Sequence, residues 1–78
     1  MKLSDSSAGS RAVIVRLAGD QRFISRVTSI GLTPGCVIEI LRNEKRHPIL
    51  IYGRDTVIAM NRKESERIEI EVKGAANE

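Results

Sequence analysis

The side chains in this sequence that come first into question for chemistry at neutral pH are its lone cysteine, Cys36, and its lone histidine, His47, with the nearby carboxylate Glu44. A cysteine acts as nucleophile or metal ligand only as its thiolate, so it needs a basic partner or a metal close by. The chain has one cysteine and one histidine. Cys36 opens an alternating run directly after Gly35, while His47 falls in a polar connection. Cys36 therefore reads as a small core residue, because free cysteine is among the most buried residue types. His47 with Glu44 could ligate a transition metal, but one imidazole and one carboxylate make a weak site, and structural zinc takes four ligands. His47 reads as a solvated loop residue. There is no P-loop and no dinucleotide fingerprint, and no acid–base pair is recognisable. The expectation is a non-enzyme with no catalytic residues, no cofactor and no metal ligands.

What remains is binding. Arg42, Lys45, Arg46 and His47 form a local basic cluster suited to a phosphate or an acidic surface. No aromatic residue is interleaved with it, so base stacking is not provided for. The net charge of +3, from 13 basic and 10 acidic residues, is mild; strong nucleic-acid binders show a denser basic stripe. The better candidates are apolar or amphipathic. Ile24 and Leu32 could edge an apolar groove beside a helix. Tyr52 and Arg54 sit at a hairpin end, where an amphipathic ring and a forked cation suit contact with a protein. These four are the candidate partner-binding residues.

The elements that position them follow from spacing. Ala12 to Ala18 predicts a strand with Val13, Val15 and Leu17 on its buried face. Asp20 is a candidate N-cap, and Phe23, Ile24, Val27 and Ile30 recur at helical spacing. Gly31 suits the left-handed position that ends a helix, with Leu32 folding back onto Val27. Thr33-Pro34-Gly35-Cys36 carries the type II turn signature. Cys36 to Arg42 alternates, with Cys36, Ile38 and Ile40 on one face. Pro48 opens a strand reaching Tyr52; Gly53-Arg54-Asp55 makes a short hairpin connection. Thr56 to Asn61 returns, Arg62 to Glu66 forms a single helical turn, and Arg67 to Val72 alternates with Ile68, Ile70 and Val72 inward. Residues 1–10 read as a turn-rich lead-in.

The 78 residues make one domain spanning 1–78, with 73–78 expected as a frayed tail. With 41% apolar and 29% charged residues, the chain can fold. A single cysteine allows no internal disulfide and fits a reducing compartment. No apolar run could span a bilayer, and the first ten residues hold no signal-peptide core. The expected location is the cytoplasm. Five short antiparallel strands with one short helix after the first predict a mainly β, SH3-like barrel, since closure removes exposed edges.

The run VTSIGLTPGCVIEILRN, followed by HPILIYGRDTVIAMNRKESERIEIEV, resembles the FeoA family of ferrous-iron transport accessory proteins. The helix end at Ile30-Gly31-Leu32 and the Pro34-Gly35 turn match the family's most recognisable segment. Pro48, Gly53, Ile58-Ala59, Glu64 and Ile68-x-Ile70-x-Val72 fall at its spacing, and Leu3 and Gly9 match its lead-in. The chain departs from many members at Lys45-Arg46-His47, where they carry glycines, at Asn61, where they carry a basic residue, and at Ser65, where they carry alanine. The resemblance implies an SH3-like module in the bacterial cytoplasm that touches the cytoplasmic part of a FeoB-type GTPase-coupled transporter. It does not imply iron binding by this chain. Two alternatives stay open: a partner-binding module associated with a metal-dependent repressor, whose helix-turn-helix is missing here, and a weak nucleic-acid-binding barrel suggested by the basic balance.

Overall fold

The structure, a computed structural model, describes residues 1–75. A 3-10 turn at Leu3–Asp5 leads into strand β1 (Ser10–Leu17), helix α1 (Gln21–Ile30), strands β2 (Val37–Arg42), β3 (Ile49–Gly53) and β4 (Thr56–Met60), a one-turn helix α2 (Arg62–Ser65), and strand β5 (Ile68–Ala75). The strands form one antiparallel sheet in the order β4-β3-β2-β1-β5. This is the mainly β, SH3-like arrangement that the sequence predicts. The inward faces of all five strands meet in one core that includes Ile14, Ile38, Ile51, Met60 and Ile68. A sheet must coil strongly to achieve that. Register shifts at Arg11/Ala12 and Ile14/Arg16 in the β1–β5 ladder, and at Ile40/Arg42 in the β2–β3 ladder, supply the bends.

Helix α1 starts and stops as its caps dictate. Asp20 Oδ1 accepts from the Phe23 amide at 2.8 Å, satisfying one of the free donors of the first turn. Gly31 takes φ 105°, and the amides of Gly31 and Leu32 return to the carbonyls of Thr28 and Val27 at 2.9 and 3.1 Å. Phe23 and Val27 are buried and Ile24 is half-buried against the core, whereas Ile30 is exposed. The Pro34-Gly35 turn closes with Cys36 N–H on the Thr33 carbonyl at 2.9 Å, Gly35 holding φ 94°. Asn61 caps α2 through Oδ1 to the Glu64 amide at 2.7 Å, and the Arg26–Glu64 ion pair ties α1 to α2. Arg26 and Arg67 both lie over the Phe23 ring, 5.8 and 5.5 Å from its centroid.

Three expectations need correcting. In β1 the buried face is Ala12 and Ile14, while Val13 is half-buried and Val15 is exposed. The run is apolar on both faces, so alternation alone does not choose between them; pairing of Ala12 with Ile38, and of Ile14 with Ile70, does. The bulge at Ile14/Arg16 then returns Leu17 to the core edge. Val72 is exposed because it pairs with Ala12 at the other bulge, near the sheet margin. Residues 73–75 continue β5 instead of fraying; the rest of the expected tail, 76–78, lies outside the described residues.

The two margins of the sheet differ. On the β5 side, the Ile70 amide donates to the Met1 carbonyl at 2.7 Å, the Met1 amino group donates to the Ile70 carbonyl at 3.2 Å, and Lys2 bridges Glu69. On the β4 side, β3 is the only strand neighbour among the described residues.

Behind the strands, Arg62 binds three segments together. Its Nη1 donates to Asn43 Oδ1 at 2.9 Å and to the carbonyls of Glu44 and His47 at 3.0 and 3.2 Å; Nη2 donates to the Ser4 carbonyl at 3.4 Å. Asn43 Nδ2 in turn donates to the carbonyls of Ser4 and Ser6. The 3-10 turn, the β2–β3 connection and α2 are thereby held together.

Candidate functional site

Strands β3 and β4 join through a two-residue turn, Arg54-Asp55, between the paired residues Gly53 and Thr56. Both turn residues have positive φ, 55° and 60°. That is the type I′ geometry, whose twist matches the flanking strands and which glycine or asparagine usually occupies. Holding an arginine there costs about 1 kcal/mol. The side chain is used: Arg54 Nε donates to the Gly31 carbonyl at 3.1 Å. A cation at a helix C-terminus is favourable, because the last carbonyls are unpaired and partly negative. Gly31 allows this approach, since a Cβ there would lie 3.0 Å from Arg54 Cγ.

The guanidinium borders an open depression of about 380 Å³ lined by Thr33, Pro34, Gly35, Cys36, Val37 and Arg54. The Pro34-Gly35 turn forms one wall and the hairpin tip the other. Cys36 is buried, in the core as expected, and its Sγ lies 3.7 Å from the Val37 carbonyl. Beside the depression, the Tyr52 ring is exposed and its hydroxyl donates to Asp55 Oδ1 at 3.4 Å.

The outer face of β2, β3 and β4 continues from here. Tyr52 pairs with Glu39 on one side and Val57 on the other, and Leu50 pairs with Ala59. Val37, Leu41, Tyr52 and Val57 are all exposed, Val57 at 57%. A second, smaller depression of about 130 Å³ lies among Arg42, His47, Pro48, Leu50 and Ala59. Its floor is apolar and its rim basic. Arg42 makes two bonds to the Glu44 carboxylate, at 2.9 and 3.2 Å. That hydrogen bond, and then the attraction of the two charges, hold Glu44 below the usual carboxylate range and Arg42 above its ordinary value.

Of the four candidate contact residues, Tyr52 and Arg54 come together at the hairpin end. Leu32 is fully buried and packs beneath Gly53, so the groove edge expected there is not available to a partner. The backward fold that caps α1 is what buries it. Ile24 stands seven residues before Gly31 on α1, about 10 Å away along the axis, and does not join the hairpin site. Sequence reasoning missed Val37, Leu50, Val57 and Ala59. The alternation of β2 and β3 could have indicated their outward side, but nothing local showed that the face is uncovered. His47 is exposed as expected. Among the described residues no three His, Cys, Asp or Glu side chains gather to hold a metal, and no helix is long and apolar enough to cross a membrane.

A family model, the FeoA domain, matches residues 1–72. The chain belongs to the FeoA family. Solved structures agree. A FeoA described as an iron uptake regulatory protein is 25% identical, with a TM-score of 0.88 over 94% of this chain and 97% of that one. FeoA from Chlorobium tepidum is 30% identical, with a TM-score of 0.84 over 92% of this chain and 70% of that one. FeoA from Stenotrophomonas maltophilia, solved with zinc and described as a prokaryotic SH3 domain protein, is 18% identical, with a TM-score of 0.79 over 91% and 89%, and supports the fold alone. No curated protein matches the chain. The same fold occurs as part of a manganese-dependent transcriptional repressor, at 15% identity, with a TM-score of 0.83 over 94% of this FeoA domain and 41% of the repressor.

Proposed function

We propose that this FeoA-family chain is a non-enzymatic, cytoplasmic accessory module of ferrous-iron uptake that binds the cytoplasmic part of a FeoB-type GTPase transporter. The observation that carries the reading is the FeoA match over residues 1–72. The hairpin end supports it physically. Tyr52 and Arg54 combine an amphipathic ring with a guanidinium whose Nη donors are uncommitted in the described contacts, next to an open depression and an exposed apolar face. Interfaces draw much of their energy from such tyrosine and arginine anchors.

The test is co-elution of the purified chain with the cytoplasmic domain of the transporter, for the wild type and for Arg54→Glu. Binding that is lost on charge reversal, with an unchanged circular dichroism spectrum, is the expected result. Absence of binding by the wild type, together with unchanged ferrous-iron uptake in a deletion strain, would refute the reading. The likeness to repressor domains keeps a second reading in view, a module associated with a metal-dependent repressor. Co-purification with a repressor in place of the transporter would favour it.

A further inference from the structure

The two margins of the sheet are treated differently, and the difference points to a docking strand. An unpaired sheet edge is a template for another chain, so proteins guard edges with charges, proline, bulges or covering segments. The β5 margin is guarded: Met1 and Lys2 pair with it, and it carries Glu69, Glu71 and Lys73. The β4 margin is not. Its sequence, Thr56-Val57-Ile58-Ala59-Met60, has no charge, no proline and no glycine, and its ladder with β3 runs without a bulge.

Register shows which backbone groups are free. In a two-residue hairpin the residues flanking the turn exchange hydrogen bonds, and pairs then alternate. Thr56, Ile58 and Met60 therefore direct their N–H and C=O groups at β3, and Val57 and Ala59 direct theirs outward. Among the described residues, Val57 and Ala59 make no hydrogen bond outside the β3–β4 ladder. Their side chains share the outer face with Tyr52 and Leu50.

We propose that the free edge of β4 receives an extended segment of a partner protein as a sixth strand. The segment would exchange hydrogen bonds with Val57 and Ala59. One of its apolar side chains would reach over the small Ala59 into the depression lined by Arg42, His47, Pro48 and Leu50. Added strands take affinity from the main chain and specificity from such alternate pockets. Charge selects the occupant. Arg42 at the depression is paired with Glu44, but the exposed Lys45 and Arg46 of the same connection, and Lys63 after β4, leave an excess of positive charge at that end, so the segment is uncharged where it crosses Val57 and carries carboxylates at the end beside Ala59. A second copy fits less well: its own β4 brings no carboxylate to the basic end of this edge, and each chain already carries +3. The proposal concerns the mode of binding and does not depend on the transporter being the partner.

The test uses synthetic peptides of about six residues, alternating valine and threonine, with two aspartates or two lysines at one end, titrated into the full chain and followed by amide NMR. The acidic peptide should shift the Val57 and Ala59 amides and slow their hydrogen exchange. It should bind at least about tenfold more tightly than the lysine peptide at low salt, with the gap narrowing as salt rises. Val57→Pro removes an outward donor without touching the β3 ladder, and Ala59→Glu fills the depression with the wrong charge. Each should weaken the acidic peptide about tenfold or more. Should Val57→Pro fail to fold, Ala59→Glu alone decides. Unmoved Val57 and Ala59 amides at millimolar peptide, or equal binding by folded variants, would overturn the proposal. A dimer in sedimentation that Val57→Pro dissolves would also overturn it, by giving the edge to a second copy. A chain that binds peptide at this edge but ignores the transporter domain refutes only the functional reading above.

Discussion

Arg54 allows fold and function to be separated at one position. Its φ of 55° is a conformation that glycine adopts freely and alanine does not. Relieving that strain is worth about 1 kcal/mol, from which the greater freedom of glycine in the unfolded chain removes about 0.4 kcal/mol or more. Both Arg54→Gly and Arg54→Ala lose the bond to the Gly31 carbonyl, worth about 0.5 kcal/mol at an exposed site, the low end of the usual range. Alanine keeps the strain, and glycine sheds it. The glycine variant should therefore be more stable than the alanine variant by about 0.5 kcal/mol and melt about 2–4 °C higher, with the wild type close to the glycine variant. Urea and thermal melts followed by circular dichroism give this comparison. Binding to the transporter's cytoplasmic domain should fall equally in both, by about tenfold, because the guanidinium is gone from both. An alanine variant as stable as the glycine variant would refute the turn geometry. Full binding by the glycine variant would remove Arg54 from the contact surface.

Gly31→Ala should destabilise the domain by about 1–2 kcal/mol, since φ is 105° and the new Cβ would press on Arg54 Cγ; the same melts, with binding measured in parallel, check that it also displaces the hairpin cation. Arg62→Ala should cost about 2–3 kcal/mol, several half-exposed hydrogen bonds at the lower end of their usual worth, and Arg62→Lys should recover only part of it, because an ammonium cannot fork to the same acceptors. An urea midpoint unchanged by Arg62→Ala would show that water replaces those bonds without loss. Glu44 titrates below the usual carboxylate range because Arg42 is bonded to it. A depressed folded pKa contributes stability above the ordinary carboxylate value, and that contribution is lost as pH falls through the folded one. Arg42→Ala should raise the Glu44 titration midpoint, read by carboxyl NMR, and flatten this part of the acid limb.

The elements with local punctuation were legible from the chain. Asp20, Gly31 and Pro34-Gly35 fix α1 and its exit through side-chain and φ requirements that act within four residues, and the Glu–Ile alternation of β5 admits only one inward face for Ile68 and Ile70. Strand β1 was not legible, because Ala12 to Val15 is apolar on both sides and the choice of face depends on partners distant in sequence. Arg62 gave no signal for the same reason: its acceptors lie 15 to 58 residues away. Tyr52 and Arg54 could be placed at the hairpin end from the strand pattern alone. The left-handed geometry of Arg54 could not, since the turn lacks the asparagine or glycine that marks it.

Strand β1 sits between β2 and β5, and its two neighbours lie at very different distances along the chain. Ala12 stands against Ile38 on one side and against Val72 on the other. The first pairing closes a modest loop, and the second closes a loop that contains every other strand. Completing the far side of β1 is therefore a non-local step that must be reached before its contacts are gained, of the kind that makes folding of small β domains slow.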